Sequence, residues 1–421
     1  MPRLLAIMGS GETAPTMIKP HRRIFEQLGD PVDAVLLDTP FGFQENAPIL
    51  VEKALEYFRD SIGTTVVSAD LLTTDPTVGD LVQIESAIAR IRAADWLFAG
   101  PGSPTYALGQ WADTPIPEAF ADKVRSDGAL VFASAAALTL GIATVPVYEI
   151  YKVGAPPAWA TGLDVLSEIG LPVAVIPHYD NTEGGNHDTR FCYLGERRLA
   201  MLEPSLPDGA FVLGVDEHTG VVLDLDADTA EIVGRGGLTL RRAGTSVRIE
   251  AGEQVPIDVL RSAGDGGATV GAVAPPPAVE EAATDEAVAV TAASLAEDAA
   301  ECEATFATAI AERDAASAVA AVLRLEQSIV DWSRDTLQSD ETDRARAALR
   351  SMIVRLGNAA TDGVRDPREV LGPVVEAALA ARVTARSEKA FAVADDLRDR
   401  LVEAGVEIRD TPDGTEWLLS N

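Results

Sequence analysis

Cysteine is nearly absent from this sequence: its 421 residues contain two, Cys192 and Cys302, far apart in the chain. A disulfide framework and a cysteine-based zinc cluster are thereby excluded, and a reducing, cytoplasmic setting is the expectation. Histidine is almost as scarce, with four residues, so chemistry that needs an imidazole has few candidates. Positive charge is in short supply as well. Against 66 acidic side chains stand 34 basic ones, a formal net charge of -32, which repels phosphate backbones and anionic lipid surfaces and argues against nucleic-acid and membrane partners. The opening "MPRLLAIMGSGE" runs into Gly and Glu without a long apolar region or a small-residue cleavage site, so no signal peptide is read. The uncharged stretch from Gly128 to Tyr148 has the length of a membrane span, but Ser134, Thr139, Gly141, Thr144 and Pro146 interrupt it. It reads instead as a buried strand followed by a short helix.

What is present is globular material, 47% hydrophobic, in a chain too long for one typical core, so two domains are expected. In the first half, short β-rich runs ("RLLAIMG", "DAVLLD", "TTVVSA", "DWLFAG", "ALVFAS", "PVAVIP", "FVLGVD", "TGVVLD") alternate with amphipathic stretches such as "ENAPILVEKALEYFRD" and "LVQIESAIARIRAA". That alternation predicts an α/β domain over residues 1–257, a three-layer α/β/α sandwich with a mainly parallel central sheet. Residues 258–295, rich in Ala, Pro, Gly and acid without periodicity, read as a disordered linker. From 296 to 421 helical spacing returns, predicting a small domain of three or four helices that ends in two extended pieces around a Pro-Asp-Gly turn. There Phe391, Ala394, Leu397, Leu401 and Val402 would form one apolar helix face, with Trp417 closing over it.

The stretch "LVFASAAALTLG", residues 130–141, turns from an apolar run into small residues at a single hydroxyl, Ser134. A sharp strand-to-helix turn is where α/β hydrolytic enzymes display a nucleophile, usually inside G-x-S-x-G. Phe132 and Ala136 occupy the two glycine positions here. In "LPVAVIPHYDN", His178 falls at the carboxyl end of another predicted strand, the edge where such sheets bind ligands, and is the natural base for Ser134. The other imidazoles have duller settings: His21 on a predicted helix surface, His187 in a polar loop and His218 in a tight turn. Glu149 is the first choice for a carboxylate to orient the imidazole, with Asp180, Asp164 and the more distant Asp216 and Glu217 as alternatives. Oxyanion donors are expected from the backbone at Ala135, next to the serine, and from Gly102 and Ser103 in the turn "FAGPGSPTYAL". A rival motif lies in "MGSGETA", where Gly9, Gly11 and Ala14 fit G-x-G-x-x-A and Asp38 ends the next strand, the pattern of a dinucleotide-binding protein.

With these residues in place, the first 257 or so resemble the peptidase S51 group, the cyanophycinase and dipeptidase E relatives of the class I glutamine amidotransferase-like superfamily. The resemblance rests on "FASAAA", "GPGS", "PHY", "RRLAML" and "GVDEHTGVVL". It implies Ser134 as nucleophile, His178 as base and Glu149 as third member of a serine peptidase. It also implies short or aspartyl-containing peptides as substrates, for which Arg190, Arg197 and Arg198 are the candidate recognition residues. Residues 385–417, "ARSEKAFAVADDLRDRLVEAGVEIRDTPDGTEW", are similar to the C-terminal segment of cysteinyl-tRNA synthetases, although the HIGH-type and KMSKS motifs of those enzymes do not occur. The sequence thus supports a serine hydrolase of amide bonds with a peptide or small amide as substrate, no cofactor and no metal; it does not fix the assembly state, and a homodimer is one candidate. Two alternatives stand beside it: a catalytically inactive scaffold or binding protein linked to translation by its tail, and a dinucleotide-binding protein acting through Gly9 and Gly11.

Overall fold

The computed structural model describes residues 1–183, 187–263, 294–312, 314–333, 341–364, 367–411 and 414–419. Two compact units are formed, one by Met1–Ala300 with Leu325–Arg346, the other by Glu301–Arg324 with Ala347–Asn421.

In the first unit, strands β1 (Arg3–Met8), β2 (Ala34–Leu37), β3 (Val67–Ser68), β4 (Trp96–Ala99) and β5 (Gly128–Ala133) form a parallel array in the order β1-β5-β4-β2-β3. From Leu4 onward in β1, and throughout β2, β4 and β5, the residues form buried apolar runs because both faces are covered, whereas the two-residue edge strand β3 is not buried. On β1, Leu5 and Ile7 enter one core while Leu4, Ala6 and Met8 enter the other. Beyond β1 the sheet continues antiparallel through β10 (Thr219–Asp224), β11 (Thr229–Gly234) and β14 (Gln254–Pro256). Helices α1 (Ile18–Leu28) and α2 (Ala47–Tyr57) cover one face with Ile24, Phe25, Ala54 and Tyr57. The opposite face receives α3 (Leu81–Ala93), α4 (Pro104–Trp111) and α5 (Ile116–Arg125). On α3 the apolar side chains Ile84, Ala87 and Ile91 recur at helical spacing, and the Asp80 carboxylate caps its start by accepting the Val82 N–H.

The same core also takes in a second, four-stranded sheet. There β8 (Val173–Ile176) lies parallel to β9 (Phe211–Val215), which pairs antiparallel with β12 (Gly237–Arg242) and through it with β13 (Thr245–Glu250). The runs "PVAVIP" and "FVLGVD" are therefore strands as expected, but of this second sheet and not of the central one. A short ribbon of β6 (Ala143–Thr144) and β7 (Ala160–Thr161) follows helix α6 (Ser134–Thr139). The uncharged segment 128–148 thus resolves into β5, α6 and β6, and no helix among the described residues is long and apolar enough to cross a membrane. Helix α7 (Gly195–Leu202) packs Leu199 and Leu202 against Ile176 and Val212.

Helix α8 (Ile257–Ser262), with Ile257 and Leu260 buried, occupies the first residues of the stretch read as a linker, so the packed body extends past residue 257. Residues 264–293, the rest of that stretch, lie outside the described residues. Among the described residues the tail holds five helices rather than three or four: α9 (Leu295–Glu312), α10 (Ala315–Trp332), α11 (Glu341–Val364), α12 (Pro367–Ser387) and α13 (Phe391–Glu403). A hairpin of β15 (Val406–Thr411) and β16 (Gly414–Leu419) ends the chain. In the second unit Val375, Leu379, Val406 and Ile408 form a small core joined by Leu401 and Trp417. The apolar face expected on α13 is narrower than the sequence suggests, since Ala394 is buried and Leu397 and Leu401 are half-buried, whereas Phe391 and Val402 are exposed.

Phe132, which replaces the first glycine of the usual nucleophile turn, is fully buried between Phe120 and Trp111, at ring separations of 5.0 and 6.0 Å. It points into the core beneath α4 and α5. Phe132→Ala is therefore expected to cost about 3–5 kcal/mol of stability, as removal of a buried aromatic does, measured by denaturant unfolding of the full chain.

Candidate active site

Ser134 is the first residue of α6 and directly follows β5. Its φ is +48°, a left-handed conformation rarely adopted by a residue with a Cβ, and it is the only residue from Leu130 to Leu140 that is not buried. The strand drives straight into the helix with no intervening loop, and the hydroxyl is left at the surface of the turn. Ala136 is fully buried and its N–H donates to the Gly100 carbonyl at 3.2 Å, so the second glycine position is met by a methyl that fits.

His178 lies two residues beyond β8, also at φ +48°, and its Nε2 is 2.9 Å from Ser134 Oγ. A turn with three successive positive φ values, Phe191, Cys192 and Tyr193, braces it from behind. In that turn the Cys192 N–H donates to the His178 carbonyl and the Phe191 N–H to that of Tyr179. Burial pushes the Cys192 thiol up to about 12, helped by the nearby Glu217 charge, so it stays protonated and unreactive at neutral pH.

The carboxylate on the imidazole is Glu217, not Glu149. Glu217 Oε1 stands 2.9 Å from His178 Nδ1 and accepts a second hydrogen bond from the Asn181 amide at 3.0 Å. Glu149 instead accepts the Thr105 hydroxyl at 2.8 Å on one oxygen, and its other oxygen is buried with no hydrogen-bond partner. The remaining carboxylates also serve elsewhere. Asp180 accepts the Glu217 N–H, Asp216 accepts the Gly237 N–H and pairs with Arg248, and Asp164 accepts the Ser167 hydroxyl. Burial of the His178 ring acts to lower its pKa, but the hydrogen bond and charge of Glu217, with the charges of Glu12 and Glu183, outweigh it, and the pKa is raised above 6.5. Burial likewise acts to raise Glu217, and His178, Asn181 and His218 together reverse it, leaving the carboxyl below its usual range.

Of the expected oxyanion donors, Ser103 is otherwise engaged: its N–H donates to the Pro40 carbonyl at 3.0 Å and its hydroxyl caps α4 by accepting the Tyr106 N–H. Gly102 stands at φ +137°, so close to Pro40 that a Cβ would lie 2.0 Å from the Pro40 oxygen, and its carbonyl accepts the Tyr148 hydroxyl. Only glycine fits that position. Ala135 is the second residue of α6, between Ser134 and the Ala136 whose amide is taken by Gly100.

Three further expectations are corrected. His21 is not on a surface but fully buried, its Nε2–H donating to the Glu12 carbonyl among Tyr57, Phe58 and Phe98, and burial lowers its pKa to about 4. Gly9 and Gly11 do not open a seat for a pyrophosphate. A Cβ on Gly9 would lie 2.0 Å from the Asp216 oxygen and one on Gly11 2.1 Å from His218 Nδ1, so the chain's own 216–218 turn fills that space. Asp38 is spent on the Leu71 N–H and the Ser68 hydroxyl. The arginines offered for acidic substrates are likewise occupied or turned to solvent. Arg190 pairs with Asp188 and lies over the Phe191 ring, Arg198 donates to the Leu194 carbonyl, and Arg197 is exposed on α7. His187 is exposed, near the Tyr151 ring. Among the described residues no group of three or more His, Cys, Asp or Glu side chains is placed to hold a metal ion.

Residues 368–417 match the family model described as the cysteinyl-tRNA ligase anticodon binding domain. The cysteine–tRNA ligases of Arthrobacter sp. strain FB24 and Paenarthrobacter aurescens strain TC1 are 38% and 37% identical to this chain over 89 and 90 residues, in each case 20% of it. That segment spans only 18% and 19% of those relatives' lengths. Among solved structures, a peptidase from an acI-B1 Actinobacterium is similar at a TM-score of 0.48 and 19% identity, over 61% of this chain and 97% of that one. A putative peptidase E protein from Listeria monocytogenes EGD-e is similar at 0.35 and 12%, over 59% and 99%.

The geometry fixes how Ser134 should respond to pH. A neutral imidazole is needed to take the serine proton, so the rate of Ser134 modification by a fluorophosphonate is expected to rise as pH climbs through the raised pKa of His178, with a midpoint above 6.5. Glu217→Gln removes what raises that pKa: the midpoint should fall and the plateau rate drop by about 10³-fold or more. Glu149→Gln should leave the midpoint in place.

Proposed function

We propose that the protein is a serine hydrolase of amide bonds. The observation that carries this reading is the line from Ser134 Oγ to His178 Nε2 and from His178 Nδ1 to Glu217 Oε1, each step 2.9 Å, built on a strained serine at a strand-to-helix turn. Ser134 Oγ attacks the scissile carbonyl carbon while His178 Nε2 takes its proton, and Glu217 stabilises the resulting imidazolium through Nδ1–H. The backbone N–H groups of Gly102 and Ala135 receive the developing oxyanion, a contribution of about 3 kcal/mol for each donor. Collapse of the tetrahedral species breaks the C–N bond, His178 returns the proton to the departing amine, and water then clears the acyl group from Ser134 by the same steps.

The substrate class follows from charge. Glu12 and Glu183 add negative charge around His178, and Arg190 and Arg198 are engaged elsewhere, which supports a site that disfavours an acidic acyl group. Short peptides or small amides with neutral or basic residues are the expected substrates, not aspartyl ones.

A second reading, a binding protein linked to translation, draws on the match of residues 368–417 to an anticodon-binding family. Retardation of labelled tRNA by the full chain at physiological salt would favour it; the net charge of -32 leads us to expect none.

A fluorophosphonate probe is expected to label the full chain, and labelling should vanish in Ser134→Ala. A well-folded protein that stays unlabelled would overturn the hydrolase reading. In a panel of aminoacyl anilides, kcat/KM for aspartyl substrates is expected to fall about tenfold or more below that for leucyl or lysyl ones, as like-charge juxtaposition requires.

A further inference from the structure

Glu217 sits in the three-residue turn between β9 and β10, and its aim at His178 depends on how that turn is held. From one side the turn is held by Gly9, Gly11 and Asp180: the Gly9 N–H donates to the Thr219 carbonyl at 2.8 Å, the Asp180 carboxylate accepts the Glu217 N–H at 2.8 Å, and Gly11 lies flush against the His218 ring. The other contact on that ring comes from far along the sequence. Trp332, the last residue of α10 and only 5% exposed, meets His218 edge to face with ring centroids 5.4 Å apart at 78°. Both residues belong to the first compact unit. Nearby, the Ser328 hydroxyl donates to the buried Asp298, Glu297 reaches Arg235 at 3.5 Å, and the Arg235 N–H donates to the His218 carbonyl at 3.1 Å. The end of α10 and the start of α9 are thus fastened to the turn that carries Glu217.

We propose that Trp332 is a positioning residue for the hydrolytic site: its indole clamps the His218 ring against Gly11 and so fixes the turn that aims Glu217 at His178. This rests on the hydrolase reading above. Trp332 touches no substrate and acts through His218. The indole also keeps water from a ring whose Nδ1 has no partner in the structure, and burial holds the His218 pKa at about 4. The charged and titratable groups acting on His218 are Glu217, Arg235 and His178. With the indole removed, the burial that depresses His218 is relieved and its pKa rises towards the ordinary 6.5. Positive charge gained on that ring draws on Glu217 and opposes protonation of His178.

The test reads inactivation of the full chain by a fluorophosphonate probe, with kinact and KI separated, across the pH range in which imidazole titrates. Trp332→Ala is expected to lower kinact by about 10²-fold, the scale of a displaced catalytic group, while KI changes little. The midpoint of the pH profile should move to lower pH, and Trp332→Phe, which restores a flat ring, should recover both the rate and the midpoint. If Trp332→Ala fails to fold by circular dichroism, Trp332→Gln, which fills volume but admits water, carries the same expectations. An unchanged kinact and pH midpoint in the folded variant would overturn the proposal, as would a loss of kinact that Trp332→Phe does not rescue. Absence of labelling in the wild-type chain marks failure of the hydrolase reading itself, and the proposal falls with it.

Discussion

β8 and β9 run side by side and parallel, with Ile176 opposite Gly214, and this register makes the hydrogen bond between His178 and Glu217. His178 lies two residues past the end of β8 and Glu217 two past the end of β9, close enough for their side chains to meet at 2.9 Å, and the Tyr179 N–H fixes the crossing by donating to the Val215 carbonyl at 3.1 Å. β9 then turns back as β10, which leaves the second sheet and enters the larger one beside β1. β1 is flanked on its other side by β5, whose end carries Ser134. The three side chains of the site therefore come from three strand ends in two sheets, and the 216–218 turn is the joint between those sheets. A slip of one residue in the β8–β9 pairing would carry the imidazole to the opposite face.

Holding the site costs backbone strain. Ser134 and His178 both stand at φ +48°, at about 1–3 kcal/mol each for a left-handed residue with a side chain. Strain of this kind persists only where surrounding packing leaves no alternative, and the core around β5 has that character. Phe132, Trp111 and Phe120 interlock on one face of the strand, and Ala133 and Val131 are buried on the other. Phe132, out of place beside the G-x-S-x-G pattern, belongs to the packing that keeps the strand end fixed while the serine bends. What the turn requires close to the serine is a small residue at position 136, and Ala meets it.

The parallel half of the central sheet was legible because strands covered on both faces announce themselves as apolar runs. Ser134 and His178 were legible for the same reason, as polar residues at which such runs stop. Glu217 lacked that signal. It lies in "VDEHTGV", where adjacent acidic residues and a turn are ordinary hairpin chemistry, and no local feature separates it from Asp216. Glu149 stands out through nearness in sequence to Ser134, but nearness along the chain says little when the partner strands lie in a second sheet. Gly9 and Gly11 show the same ambiguity in another form. Glycine after a strand signals close backbone approach, and whether a pyrophosphate or the chain's own turn makes that approach is decided by tertiary structure. The charges of Lys19, Arg22 and Arg23 suggest a surface position for His21, but α1 turns it inward on the face it shares with Pro20, Ile24 and Phe25.

The electrostatics of the site set stability and reactivity against each other. The folded pKa of His178 is raised above its ordinary 6.5, so the stabilisation from its protonated form is complete below 6.5 and is lost as pH rises through the folded value. The folded pKa of Glu217 is depressed below its ordinary 4.5, so its contribution is complete above 4.5 and is lost as pH falls through the lower folded value. Both contributions coexist in full only between 4.5 and 6.5, where the imidazole is charged and cannot accept the serine proton. In the proposed reaction His178 is available as base only above its own raised pKa, where the ion pair with Glu217 has dissolved into a neutral hydrogen bond. Once His178 is neutral, its orientation rests on that hydrogen bond and on the backbone contacts of the 216–218 turn, so the packing around the turn matters most at the pH where the proposed hydrolysis would run.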